Sequence, residues 1–284
     1  NRQGSNVYAL VAKGYRAGGY NIQMFSDILQ TELQDAAQTA RGDMELQHTQ
    51  QDYDNMCETI AFKPEESWNY EFGTHLNLFG SKMQLDVAAY YMQIRNQQLS
   101  VMAGNYGFGR MMVNAGRSYS CGIEASLRGH ALDNHLAWGV NYGYTRAVFK
   151  EYVDSVSSDE GMTAIDYKDK RVPFVPEHTL AANADYRIDF GGLLLHSLTV
   201  GANITMRGKT YWDNDNLYSQ SVYALLGAHA DANFGKLVFS LWGRNITNTN
   251  YNTFATDSRM AGNTLYFAQR GNPLQVGIDL RIHL

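Results

Sequence analysis

No part of this sequence approaches the run of about 18 apolar residues that a transmembrane helix needs. That absence, with a negative mean hydropathy, excludes a helical membrane protein. It does not touch a membrane barrel, whose strands are only half apolar. Cysteine is nearly missing, and the two present, Cys57 and Cys121, make neither a disulfide framework nor a metal-site spacing. The four prolines and 26 glycines exclude collagen-like or proline-rich disorder. A net charge of −5 offers no basic face for nucleic acid, so none is expected as a partner. The opening "NRQGSNVYAL" has neither an initiator Met nor a basic-then-apolar leader, and suggests a piece of a longer protein. Aromatic residues are plentiful but skewed, with 19 tyrosines against 12 phenylalanines and 4 tryptophans. Tyrosine suits sites that are apolar at one end and wet at the other.

What the sequence does have is alternation. In "PLQVGIDLRIHL" the residues Leu274, Val276, Ile278, Leu280, Ile282 and Leu284 are apolar, and those between them are not. Side chains on a strand point alternately to opposite faces, so this segment has one greasy face and one polar face. The same period sets Leu198, Val200, Ala202, Ile204 and Met206 against Thr199, Gly201, Asn203, Thr205 and Arg207. It sets Leu180, Ala182, Ala184, Tyr186 and Ile188 against Asn183, Asp185 and Arg187, and Tyr119, Cys121, Ile123, Ala125 and Leu127 against Ser120, Glu124, Ser126 and Arg128. Ten strands can be read this way.

Their connections alternate in length. Short ones lie at 79–82, 129–135, 189–196 and 234–236; long or polar ones lie at about 18–64, 102–113, 151–176, 212–220 and 248–271. Outer-membrane barrels show this asymmetry, with short periplasmic turns and long extracellular loops. All four prolines fall in loops or where strands begin, where a missing N–H costs little. A soluble two-sided sheet would need many Lys and Glu on its polar face. Here that face is rich in Gly, Ala, Ser, Asn and isolated charges, as in a crowded, wet interior. The expected fold is all-β, a transmembrane antiparallel up-and-down barrel.

Six stretches carry a resemblance. They are "YALVAKGYRAGGYN" (8–21), "FKPEESWNYEFGTHLNLF" (62–79), "NAGRSYSCGIEASL" (114–127), "VPFVPEHTLAANADYRI" (172–188), "WGRNITNTNYNTF" (242–254) and "QRGNPLQVGIDLRIHL" (269–284). In this order they resemble the C-terminal part of TonB-dependent outer-membrane receptors. The resemblance implies a plugged barrel of about 22 strands. Residues 1–284 would supply the last ten, without the plug and the N-terminal strands. It further implies a Gram-negative outer membrane, no enzyme activity and no cofactor. The implied work is import of a scarce nutrient such as a ferric siderophore, energised by TonB. Two departures stand out. The chain ends in Leu284 where the family usually has an aromatic residue, and "GYRAGGYN" and "IAFKPEE" stand where haem receptors carry their ligand-flanking motifs. A closed ten-strand barrel acting as a surface protease or adhesin is the alternative.

Three groups of residues are candidate sites. Arg207, Tyr211, Trp212, Tyr218 and Tyr223 surround one long connection and could stack on an aromatic chelate, with Arg207 countering its charge. Rim aromatics serve equally as a lipid-interface belt. Asp86, Glu124, Arg128, Asp185, Arg187, Asp231, Asp279 and Arg281 are expected in the lower, short-turn parts of their strands, facing a lumen and the plug. Buried charges of both signs need partners, and several of these, such as Glu124 and Arg187, are expected to pair with the plug and hold it. His229 and Asp231 share a strand face as an acid–base pair could, but their expected place favours a luminal hydrogen-bond network. Met44, His48, Tyr53, Met56 and Cys57 crowd one loop without a known metal spacing, and no metal is expected. Cys121 on the apolar face and Cys57 in a far loop are not expected to bridge.

Overall fold

Period-two alternation is realised in ten long antiparallel strands. A computed structural model describes residues 4–24, 26, 49–102, 110–158, 161–192, 194–257 and 266–283. The strands are β1 (Asn6–Arg16), β2 (Glu65–Leu78), β3 (Met83–Arg95), β4 (Arg117–Ala131) and β5 (Leu136–Glu151). They continue as β6 (His178–Asp189), β7 (Ser197–Arg207), β8 (Tyr223–Asn233), β9 (Leu237–Arg244) and β10 (Gln275–Ile282). Each pairs only with its chain neighbours, so the order in the sheet is the order in the sequence. Among the described residues β1 and β10 have one neighbour each, and the sheet is open.

The pairing register climbs from strand to strand. One row of backbone partners runs Gly73, Ala88, Glu124, Gly143, Thr179, Arg207, Tyr223. It starts in the middle of β2 and finishes at the long-connection ends of β7 and β8. This slip is the stagger that strand tilt requires in a barrel wall.

The two faces separate as the alternation predicts. Ile123 in β4 and Val200 in β7 belong to interior strands with neighbours on both sides, yet they are 50% and 48% exposed. No second layer of the described chain covers this face. It is flanked by outward aromatics at both levels: Trp68, Tyr70, Tyr91, Tyr119, Tyr142 and Tyr144 toward the long connections, and Trp138, Tyr186 and Phe239 toward the short turns. Such paired girdles bound the apolar band of a membrane barrel.

The tight turns lie at one end, as expected. In two of them the chain passes through the left-handed region at three successive residues, Phe79, Gly80 and Ser81, then Leu132, Asp133 and Asn134. The long connections are more ordered than polar loops. Each continues as a two-stranded ladder: Gly19–Tyr20 with Ala61–Phe62, Gln98–Met102 with Arg110–Asn114, Val153–Ser158 with Gly161–Asp166, Thr210–Tyr211 with Ser219–Gln220, and Asn252–Asp257 with Tyr266–Arg270. Ala115, Ala147, Phe149, Tyr152, Tyr167 and Val172 form a small buried core at that end. Segment 151–176, read as a polar connection, thus supplies part of that core, because its ladder brings Tyr152 and Tyr167 together with ring centroids 5.0 Å apart.

Candidate ligand and plug surface

Polar residues occupy the inner face because glycines make room for them. Tyr8 lies across Gly73, His229 across Gly201 and Trp242 across Gly277; a Cβ added at these glycines would fall 2.2–2.5 Å from the side chains lying over them. The glycine-rich polar faces thus let long side chains lie flat and reach partners on the next strand, as Tyr8 and Trp242 do, or two strands away, as His229 does.

Tyr8 and its inner-face neighbours line a concave space of about 800 Å³. Its acidic side holds Glu71, Asp86 and Glu124, with His75 and Tyr8; Arg207, Tyr223 and Tyr251 stand toward the long connections. The Tyr8 hydroxyl donates to Glu71 Oε1 at 2.7 Å, and His75 Nδ1 lies 2.7 Å from Asp86 Oδ1. The Tyr8 and His75 rings stack at 5.2 Å. Tyr8, Glu71, His75 and Tyr251 were not singled out from the sequence. Glu71 and His75 already alternated onto the polar face of β2, and that was the signal available for them.

The five candidate ligand residues divide into two groups. Arg207 and Tyr223 are cross-strand partners on the cavity wall, where Tyr223 stacks on Tyr251 at 4.6 Å. The other three lie in the 208–222 connection. Lys209 covers the Tyr211 ring at 4.5 Å, Trp212 packs against Phe174 at 5.6 Å, and the Tyr218 carbonyl accepts from the Trp212 N–H at 3.0 Å. Phe174 also stacks on Phe254 at 5.7 Å, so three connections meet in one aromatic group.

The eight luminal charges share the inner face, but Glu124 is not in the lower part of its strand. It is mid-strand in β4, and the register climb sets it in one row with Arg207. Most of the others already have partners in the sheet. His229 Nε2 lies 3.4 Å from Asp185 and 3.6 Å from Asp231, spanning the gap at Gly201. Trp242 Nε1 donates to Asp279 at 2.9 Å, Arg128 to Gln84 at 2.7 Å and Arg187 to Asp189 at 2.7 Å. Arg187 is therefore held by its own strand. Among the described residues Glu124, Arg207 and Arg281 make no side-chain hydrogen bond or ion pair.

In the longest connection, Tyr53, Met56 and Cys57 lie on helix α1 (Gln50–Ile60), capped by Thr49, with Met56 buried and Cys57 exposed. Met44 and His48 lie outside the described residues. Among the described residues no three His, Cys, Asp or Glu side chains gather as a metal site.

Comparison with known proteins agrees with this architecture. The pesticin receptor of Yersinia enterocolitica is 26% identical over 282 residues, covering 97% of this chain and 33% of that protein. The crystal structure of the ferric yersiniabactin uptake receptor FyuA from Yersinia pestis superposes with a TM-score of 0.68 at 22% identity, over 98% of this chain and 35% of that one. The siderophore receptor PiuA from Acinetobacter baumannii gives 0.65 at 18% identity, over 97% and 33%. The chain thus spans about a third of the length of the relatives it matches. Residues 2–268 match the family profile described as TonB dependent receptor-like, beta-barrel. With its outward apolar stripe and polar inner face, the chain belongs to that family of receptors of the Gram-negative outer membrane.

Proposed function

We propose that residues 1–284 are the last ten strands of a receptor barrel of about 22, whose lumen holds a plug. The whole protein binds a ferric siderophore or a similar scarce chelate between its long connections and the plug apex, and TonB energises its import. One observation carries the reading: a concave wall with the Glu71 and Glu124 carboxylates at mid-height and Arg207, Tyr223 and Tyr251 toward the long connections. The cation and the stacked tyrosines suit an anionic, aromatic chelate. The relatives described as a ferric yersiniabactin uptake receptor and a siderophore receptor support the same class of ligand. Membrane lipid contacts the outer face, and nothing in the charge balance invites nucleic acid.

The surface protease or adhesin finds no support. The His–carboxylate pairs His75–Asp86 and His229–Asp185 lie on the lower inner wall, away from the long connections where a surface enzyme would meet its substrate. The deciding experiment is uptake of radioactive iron, offered as a panel of catecholate, hydroxamate and phenolate chelates, by strains with and without the full-length gene. Loss of uptake for one chelate, reproduced when TonB is removed, is the expected result. Unchanged uptake of every chelate would overturn the assignment.

A further inference from the structure

Two histidines of the inner wall meet carboxylates in different ways. His75 Nδ1 lies 2.7 Å from Asp86 Oδ1, an ordinary hydrogen-bond length. His229 Nε2 lies 3.4 Å from Asp185 Oδ1 and 3.6 Å from Asp231 Oδ2, beyond the usual N–H···O range for either. The His229 ring thus hangs between two carboxylates and is committed to neither. Gly201 leaves it the room, since a Cβ there would fall 2.2 Å from both Asp185 Oδ1 and the imidazole Cε1.

The surroundings limit what this ring can answer to. Asp185, Gly201 and His229 share a row of backbone partners that continues to Trp242. The inner-face row nearer the short turns is Arg187, Thr199, Asp231, Ser240 and Asp279. The charged groups facing the ring are therefore Asp185 and Arg187 from β6, Asp231 from β8 itself and Asp279 from β10; β7 and β9 face it with uncharged residues. Arg187 is taken by Asp189 at 2.7 Å, which His135 approaches at 3.7 Å, and Asp279 accepts from the Trp242 indole at 2.9 Å. Among the described residues, His229 makes the only ion pairs of Asp185 and Asp231. Imidazole is the side chain that changes charge between about pH 5 and 8. Neutral, it has at most one Nε2 hydrogen for two acceptors, and both carboxylates remain in need of a cation. Protonated, it sets a full positive charge between them, and the two attractions act together. It then ties β6 to β8 across β7.

We propose that His229, Asp185 and Asp231 form a proton-operated latch on the lumen wall. With the imidazole neutral, the two carboxylates hold a cationic side chain of the plug. With the imidazole protonated, they turn to His229 and the plug contact loosens. About a third of each of the three side chains is exposed, so a proton from the lumen reaches the ring. His75, already bonded to Asp86, has no second carboxylate to exchange and is not part of the latch. The inference rests on the reading that the lumen holds a plug.

The test places the full-length receptor in planar lipid bilayers, with urea to unseat the plug in part and conductance as the readout. At a urea concentration that opens few channels at about pH 7.5, a step to about pH 5.5 should raise conductance about tenfold, the scale of one partly solvated charge contact. His229→Gln should lose that rise, and His75→Gln should keep it. A wild type that ignores the step, or a His229→Gln variant that responds like wild type, would overturn the latch. A second arm reads the ring without the plug, by solid-state NMR of the receptor carrying isotopically labelled histidine at about pH 5.5. The histidine signal absent from His229→Gln should move in Asp185→Asn and also in Asp231→Asn. Movement in one of them only, or in neither, would refute the shared contact. Should His229→Gln fail to fold, Asp231→Asn replaces it in the bilayer, and a signal that moves in both carboxylate variants identifies the ring. A wild type that no urea concentration opens would sink the plug, and the latch with it. A flat response to pH in a channel that urea does open would sink the latch alone.

Discussion

At the scale of single residues, the inner wall is organised by what its glycines leave open. Gly201 sits between Asp185 and His229 in one row of backbone partners. A Cβ there would come within 2.2 Å of both Asp185 Oδ1 and His229 Cε1. The imidazole crosses this gap to reach a carboxylate two strands away, a contact that any larger residue would obstruct. Gly201→Ala should therefore destabilise the full-length protein in lipid vesicles by about 1–3 kcal/mol, the usual cost of overpacking. Urea titration is the measurement, and adding His229→Ala should recover part of the loss by removing the ring from the crowded site. A Gly201→Ala variant as stable as wild type would show that the ring does not need the gap.

The strand is the scale at which the membrane is read. Ala202 and Asn203 are adjacent in β7, and the period of two sends them to opposite faces. Ala202 meets Ala184 and Ala228 on the outer face, whereas Asn203 meets Asn183 and Gly227 on the inner one. Arg at position 202 should cost about 2–4 kcal/mol near the bilayer midplane, and Arg at 203 clearly less. The same urea titration compares them, and equal losses would contradict the assigned faces. Beyond the membrane band the rules change. Phe149, at the end of β5, is fully buried because the chain from 167 to 175 folds back onto it, its N–H donating to the Lys170 carbonyl at 3.0 Å.

For the whole molecule, the relevant quantity is which charges on the lumen wall remain uncompensated. Desolvating a charge without a partner is costly. Residues already paired, such as Arg187 with Asp189 along its own strand or Asp86 with His75 across the sheet, have little need of a further partner. Glu124 and Arg281 have none among the described residues, and are the stronger of the proposed plug contacts. Replacing both with Gln should raise sensitivity to a large antibiotic normally excluded by the plug, while surface binding of the ferric chelate persists. Arg187→Gln should leak less than that double variant. If the double variant leaks no more than wild type yet loses ligand binding, these residues serve the ligand and not the plug.

The sequence by itself determined the strands, their faces and the alternation of short and long connections, because each of these is local. Side-chain direction repeats every two residues, and a membrane barrel imposes that period strictly, so Leu274 to Ile282 announced their solvent without any contact being known. It also determined which residues share the inner face, Glu71 and His75 included. Only the tertiary structure decided how far along the barrel wall each one stands. Register between strands is set by pairing, and a slip accumulated over several strands carries mid-strand Glu124 into the row of Arg207, which no single segment reveals. Pairing likewise decided that His229 answers to Asp185, that Tyr211, Trp212 and Tyr218 leave the cavity wall to Arg207 and Tyr223, and that the long connections carry their own ladders. The His229–Asp185 and Phe174–Trp212 contacts join residues tens of positions apart, and the chemistry of either partner alone does not name the other.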